Sequence, residues 1–201
     1  MFAKVFLIMT GLLAGSRLAA QNLVMNGGFD EPNICTEYQQ ACSPVGWKAA
    51  SAMVTGYYRQ FVKPYGGTHF LPLIVENTID TSYRTYWQTR LLCPLQAGVT
   101  YTIRFYAGCW GGRFYASNLG IAFPDKECWL PENRRINRIP DIQFNNDDAR
   151  PVKKSGWLLV ETKYVARGGE DRLLIGNFLP DAHMTRHRPY SRSVIMYCID
   201  D

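Results

Sequence analysis

The chain has 201 residues, with 22 Lys and Arg against 17 Asp and Glu and a formal charge of +5. That balance is mild, and the cations are scattered apart from "ENRRINR" and "HMTRHRPYSR", neither of which sits in a nucleic-acid-binding motif, so nucleic acid is excluded as an expected partner. Beyond the first twenty residues no run approaches the ~18 apolar residues of a membrane-spanning helix.

Residues 1–20 read as a targeting segment. Lys4 precedes an apolar run over 5–13, and small residues follow to Ala19 and Ala20. This is the charged, apolar, small-residue order of a secretory signal, with cleavage expected between Ala20 and Gln21. No Cys stands just after the apolar run, so a lipoprotein anchor is not expected. The mature chain, 21–201, loses Lys4 and Arg17 and falls from +5 to +3. Its length suits one domain with a sizeable core, placed in the periplasm, at the cell surface or in the medium.

The mature chain holds all six cysteines, and an even count after an export signal suggests disulfides. Sequence alone does not choose among the connectivities open to six cysteines. Cys35 and Cys42 enclose a short polar loop and are the first expected bridge. Cys109 with Cys128 and Cys93 with Cys198 are the others. Zinc would need close pairs of the Cys-x-x-Cys kind, and none occurs.

Along the chain, helical periodicity is nearly absent. Short runs rich in Val, Ile, Tyr, Phe and Trp alternate with Gly, Pro, Asn and Asp. Strands are expected at 22–25, 53–61, 83–92, 101–107, 119–123, 157–165, 172–178 and 193–199. Some eight strands of this kind suit an antiparallel two-sheet sandwich or jelly roll. In "YRTYWQTRLL" (83–92) a period of two puts Tyr83, Trp87 and Leu91 in the core and turns Arg84, Tyr86, Gln88 and Arg90 outward. In the strand at 101–107, Tyr101, Ile103 and Phe105 face in, and Arg104 and Tyr106 face out. Turns are expected at "PLQAGVTY", set by Pro94 and Gly98, and at "RGGEDR". The polar stretch 124–156 is a long excursion with a short strand around 142–144. Trp47 and Trp157 are expected in the core.

Four stretches in order, "NLVMNGGFDEP", "YRTYWQTRLLCPLQAGVTYTIRFYAG", "GWLLVETKYVARGGEDRLLIGNF" and "YCIDD", carry a family resemblance. Together they resemble the galactose-binding-like β-sandwich of non-catalytic carbohydrate-binding modules of the family 4/9/22 type. They are closer still to a version found at the N-terminus of secreted and outer-membrane, peptidoglycan-binding proteins of Gram-negative bacteria. The resemblance covers nearly all of the mature chain. It implies an all-β jelly roll and a carbohydrate or surface-glycan partner. It would have the chain continue past Asp201, often into another domain, and it does not account for six cysteines. It also implies a structural calcium ion that ties the first strand to the last through Asp30 and Asp200, since calcium takes six to eight oxygen ligands. A sugar ring is held by aromatic rings that stack on it and polar side chains that bond its hydroxyls. By resemblance the binding face is that of Arg104 and Tyr106, with Tyr58, Arg59 and Trp110 beside it.

Catalysis is not expected. A glycoside hydrolase needs two carboxyls flanking a cleft, whereas Asp125 and Glu127, Asp147 and Asp148, and Glu170 and Asp171 are neighbours in polar loops. His183 and His187 are four apart, but the Glu that follows the first His in metalloproteases is missing, and no Gly-x-Ser-x-Gly elbow occurs. The function expected is passive carbohydrate binding. The alternative is a structural or adhesive cell-envelope protein whose jelly roll contacts other proteins.

Overall fold

The computed structural model describes residues 21–35, 40–50, 62–132, 134–186 and 192–201. The targeting segment and the strand expected at 53–61 lie outside them. The described strands are β1 (Pro32–Cys35), β2 (Gln40–Pro44), β3 (Trp47–Ala49), β4 (Leu71–Asn77), β5 (Tyr86–Arg90), β6 (Thr100–Trp110), β7 (Gly120–Ala122), β8 (Ile142–Gln143), β9 (Ala149–Pro151), β10 (Trp157–Val165), β11 (Arg172–Gly176) and β12 (Val194–Asp200). β1 and β2 form a two-stranded ribbon. The rest form two five-stranded sheets, in the orders β4-β12-β6-β10-β9 and β3-β5-β11-β7-β8. Every pairing is antiparallel. The protein is therefore an all-β protein of two large sheets packed as a sandwich.

Alternation builds the core. β6 sends Phe105 and Ala107 inward, β12 sends Ile195, Tyr197 and Ile199, and Trp47, Trp87, Ile121, Leu173 and Ile175 answer from the second sheet. Each such side chain contributes roughly 1.5–3 kcal/mol on burial. Trp87 also spans the layers, its Nε1 donating to the Pro72 carbonyl at 2.7 Å.

β10 falls where it is expected, and β5, β6, β7, β11 and β12 lie within or close to their expected ranges. Residues 22–25 make only a single bridge, between Val24 and Leu91. β4 is the strand the pattern does not announce. "LPLIVEN" is a continuous apolar run containing a proline, and all but its last residue is buried. It works because β4 is an edge strand. Pro72 shares its parity with Ile74, whose N–H and C=O turn away from β12 to Thr85, so the missing proline N–H costs no ladder bond.

The outer faces of both sheets are partly covered, which changes the reading of the outward residues. On the first sheet, residues 62–70 lie over Trp157, Met196 and Cys198. Trp157 is buried, 3 % exposed, but beneath this segment and not in the sandwich interior; its Nε1 donates to the Lys63 carbonyl at 3.1 Å. On the second sheet, part of the 124–156 excursion packs on Tyr86, Ala122, Leu174 and Phe178 through Cys128 and Ile136. Tyr86 and Gln88, expected to turn outward, are therefore buried; Arg84 is buried against Asp181 and Met184, and Arg90 alone of that set is exposed.

Cys93, Cys109, Cys128 and Cys198 are free thiols, which corrects the bridges Cys109 with Cys128 and Cys93 with Cys198. The physical reason is their placement. Cys109 points into the sandwich, Cys128 packs on the outer face of the second sheet, Cys198 is buried on the outer face of the first, and Cys93 is exposed. Cys109 and Cys198 lie on neighbouring strands, but Cys198 stands opposite Gly108, so the two thiols leave opposite faces. The side chains of Cys35 and Cys42 lie outside the described residues.

Candidate functional site

Among the described residues a polar concavity lies on the uncovered end of the second sheet's outer face. It encloses about 230 Å³ and is lined by Gly46, Lys48, Gln88, Thr89, Arg90, Glu127 and Arg172. Register brings these together: Lys48 on β3 stands opposite Gln88 on β5, and Arg90 stands opposite Arg172 on β11. Two guanidinium groups directly opposite each other would repel. Asp171 relieves that, meeting Arg172 Nη1 at 2.7 Å and Arg90 Nη2 at 3.3 Å.

The excursion supplies the facing wall. Gln88 Nε2 donates to the Cys128 carbonyl at 2.6 Å and its Oε1 accepts from the Cys128 N–H at 2.9 Å. This amide mimics a strand partner and locks the segment in place. Glu127 then reaches Lys48 Nζ at 3.1 Å, and Arg172 Nη1 donates to the Asp125 carbonyl at 3.0 Å. Trp129, next in the chain, is 66 % exposed, the most open large aromatic among the described residues. The groove thus combines cationic and amide donors with a carboxylate acceptor, and the open Trp129 indole lies two residues along the chain from its Glu127 wall. Its volume is below the ~300–1,000 Å³ of pockets for drug-sized ligands, so it suits one ring at a time.

The face expected to bind sugar is built differently. Arg104 is exposed, as expected of an outward residue. Tyr106 is half-buried, and its ring is stacked on Tyr65 with centroids 3.5 Å apart and planes 14° off parallel. Lys154 Nζ caps Tyr65 at 5.5 Å and donates to the Pro64 carbonyl at 2.6 Å and to that of Tyr65. One face of Tyr106 is thereby taken by the protein itself. Trp110 lies on the same sheet face under the guanidinium of Arg192, 5.2 Å from the ring centroid. Tyr58 and Arg59 lie outside the described residues. Sequence reasoning missed the groove because Asp125, Glu127 and Cys128 lie in the excursion, and only folding brings them to β11, β3 and β5.

Asp30 and Asp200 both meet the loop at 65–69. The backbone at Phe29 is left-handed, φ 57°, an outlying conformation for a bulky residue, and its ring is held against Trp47 at 5.2 Å. Asp30 Oδ1 accepts from the Thr68 N–H at 2.7 Å, the Thr68 hydroxyl at 3.0 Å and the His69 N–H at 3.0 Å. Burial pushes the Asp30 carboxyl up, but these bonds outweigh it and hold the group below its ordinary range. Asp200 is fully buried and accepts from the Gly66 N–H at 3.0 Å; burial pushes its pKa up to about 6.

Among the described residues no group of three or more His, Cys, Asp or Glu converges on one point. Asp200 is committed to backbone N–H groups. Asp201, beside it, turns its carboxylate to the same loop: a Cβ at Gly66 would lie 2.8 Å from Asp201 Oδ2, one at Gly28 would lie 3.1 Å from Oδ1, and one at Gly67 would overlap the Asp30 carboxylate. The three glycines let two carboxylates close on one loop, oxygen chemistry that fits calcium.

No protein-family profile matches the chain, and no curated protein matches it.

Proposed function

We propose that the protein is an exported, non-catalytic carbohydrate-binding module with a galactose-binding-like jelly roll. Support for the topology comes from the strand order: β4-β12-β6-β10 faces β5-β11-β7-β8, and successive strands from β4 to β7 alternate between sheets. This order supports reading the sandwich as an eight-stranded jelly roll. The sugar is held in the groove of Lys48, Gln88, Arg90, Glu127 and Arg172, with Trp129 stacking on its apolar face. The observation that carries this reading is the polar concavity itself, with Glu127 in its wall and the exposed Trp129 two residues further along the chain.

The acids of the loops have other duties, which favours binding over catalysis. Glu127 pairs with Lys48 and Asp171 with two arginines. Glu170 accepts from the Tyr164 hydroxyl and the N–H groups of Arg167 and Gly168. Asp148 accepts from the Asn145 N–H. Calcium, held by Asp30 and Asp201 with backbone oxygens, serves as a structural tie between the chain ends and the 65–69 loop.

A glycan array and affinity gels over neutral and acidic polysaccharides test the proposal, with four substitutions. Trp129→Ala and Arg90→Ala are expected to weaken retention at least tenfold, since stacking and charged hydrogen bonds are each worth about 1–3 kcal/mol. Arg104→Ala and Tyr106→Ala are expected to leave it unchanged. The reverse pattern would move the site to the first sheet. An absence of glycan binding by the folded wild type would favour a protein partner.

A further inference from the structure

We infer that the groove on the second sheet takes an acidic sugar, a uronic acid whose carboxylate is held by Arg90 and Arg172. This rests on the carbohydrate reading of that groove and adds the class of sugar. Register puts Arg90 on β5 opposite Arg172 on β11. Both arginines share one carboxylate: Asp171 Oδ1 stands 2.7 Å from Arg172 Nη1, and Oδ2 stands 3.3 Å from Arg90 Nη2. Asp171 does not line the groove, so it meets the guanidinium groups from outside. One positive charge is left over between them. Two other carboxylates are shared by two arginines, and there a second acid restores the balance. Glu76 joins Asp181 beside Arg84 and Arg186, and Glu170 joins Asp141 beside Arg138 and Arg167. Among the described residues no second acid pairs with Arg90 or Arg172.

The β3 side of the groove is already neutral, because Lys48 Nζ donates to both oxygens of Glu127, at 3.1 and 3.2 Å. The surplus charge therefore lies toward β5 and β11. Donors are left over in the same place. Arg172 spends only Nη1, on Asp171 at 2.7 Å and on the Asp125 carbonyl at 3.0 Å. The Arg90 guanidinium has no partner among the described residues besides Asp171, and 73 % of its side chain is exposed. A guanidinium carries five N–H donors in one plane, and a planar carboxylate matches it with two parallel bonds. The carboxylate's single negative charge also equals the surplus, whereas a phosphate ester carries about −1.5 to −2 and would exceed it. With its carboxylate on the arginines, the ring presents its hydroxyls to Lys48 and Glu127, a donor and an acceptor. A neutral sugar would leave the arginine charge unmatched, so the groove discriminates in favour of the acid.

The test measures retention of the mature chain on polyglucuronate, polygalacturonate and polymannuronate. The comparison gels carry the same polymers with their carboxyl groups methyl-esterified, neutral polysaccharides, and dextran sulfate. At least one polyuronate is expected to bind, and its methyl ester to bind about tenfold more weakly or worse, the loss expected of charge-assisted hydrogen bonds. Arg90→Gln and Arg172→Gln are each expected to abolish the preference for acid over ester. Lys163→Gln removes the same charge from an exposed position on the first sheet and is expected to leave the preference intact. Glu127→Gln is expected to strengthen polyuronate binding severalfold, because it removes a repelling charge and releases Lys48; a purely structural ion pair would give no gain. Equal retention of acid and ester, a preference that survives Arg90→Gln, or retention of dextran sulfate or neutral polysaccharides without any polyuronate would overturn the inference and leave the carbohydrate reading standing. Retention of no glycan at all would overturn both.

Discussion

Arg84 and Asp181 make a prediction in which the less obvious partner matters more. Arg84 is fully buried, with Nη2 donating to Asp181 Oδ1 at 2.5 Å and Nη1 to the Tyr83 carbonyl at 2.8 Å. Its Nε is buried without a partner. A second pair lies alongside: Arg186 Nε donates to Glu76 Oε1 at 2.6 Å, and Arg186 Nη2 stands 3.8 Å from Asp181. Burial pulls the Arg84 pKa down, while Asp181 and Glu76 oppose that. The Asp181 side chain is 40 % exposed. Removing Arg84 therefore leaves a carboxylate that water can reach and that Arg186 still faces. Removing Asp181 leaves a guanidinium in the interior with its nearest counter-charge gone. Stranding a buried charge costs about 3–5 kcal/mol, whereas an apolar side chain of similar size can replace one at little cost. Asp181→Ala is expected to destabilise by about 3–5 kcal/mol and to lower Tm by roughly 10 °C, at 2–4 °C per kcal/mol for a chain of this size. Arg84→Met, which also removes the unpaired Nε, is expected to cost no more than about 1.5 kcal/mol. Guanidinium titrations followed by tryptophan fluorescence measure both. The gap should persist from low to high salt, since buried pairs are weakly screened. Equal losses, or a larger loss for Arg84→Met, would refute the argument.

The same structure yields three further expectations. Gly176→Ala would drive a methyl into the Tyr86 ring and is expected to cost about 1–3 kcal/mol by overpacking; Gly98→Ala has open space but φ 76° and should lose only the ~1–2 kcal/mol of a left-handed alanine, so paired thermal melts should rank Gly176→Ala as the worse. In a Cys35→Ser, Cys42→Ser background, a thiol reagent should modify Cys93 quickly and leave three thiols until unfolding, because burial pushes Cys109 up to about 12 and raises Cys128 and Cys198 as well; rapid loss of more than one thiol would contradict the placement of these side chains. Calcium at a hundredfold excess over its Kd should stabilise by about 2.7 kcal/mol and raise Tm by roughly 5–10 °C, an effect expected to vanish in Asp30→Asn with Asp201→Asn; a Tm indifferent to both chelator and calcium would remove the ion.

How much of this was legible in the sequence depends on what each residue's neighbours are. Period two was enough to place Trp87, Leu91 and Phe105 in the core, because the inward sides of their strands pack in the sandwich interior. It failed for Tyr86 and Gln88. Each alternates outward as read, but "outward" is solvent only if nothing else folds over the face. Tyr86 donates its hydroxyl to the Asn177 carbonyl and accepts the Ile136 N–H at 3.0 Å, so the excursion that looked like a polar loop supplies a third layer. β4 was invisible for the complementary reason. Buried on both sides, it keeps no polar face to mark its period. The cysteines misled because folding, not spacing, decides that Cys109 points into the sandwich, Cys128 onto the outer face of the second sheet and Cys198 onto that of the first, while Cys93 is exposed.

The two covering segments also explain where function can reside. Residues 62–70 occupy Tyr106 and Trp157, and the excursion occupies Tyr86 and Leu174, so the aromatic and arginine side chains that suggest a binding face are largely spent on holding these layers down. One place is left open by the layering itself: the end of the second sheet, where the excursion stops short and leaves Lys48, Arg90 and Arg172 around a concavity. It is bounded by strands, so its polar groups are held in place before a ligand arrives, and little ordering entropy remains to be lost on binding. The single-ring recognition proposed for it is the form of binding that a fixed, shallow opening can support without any motion of the sandwich.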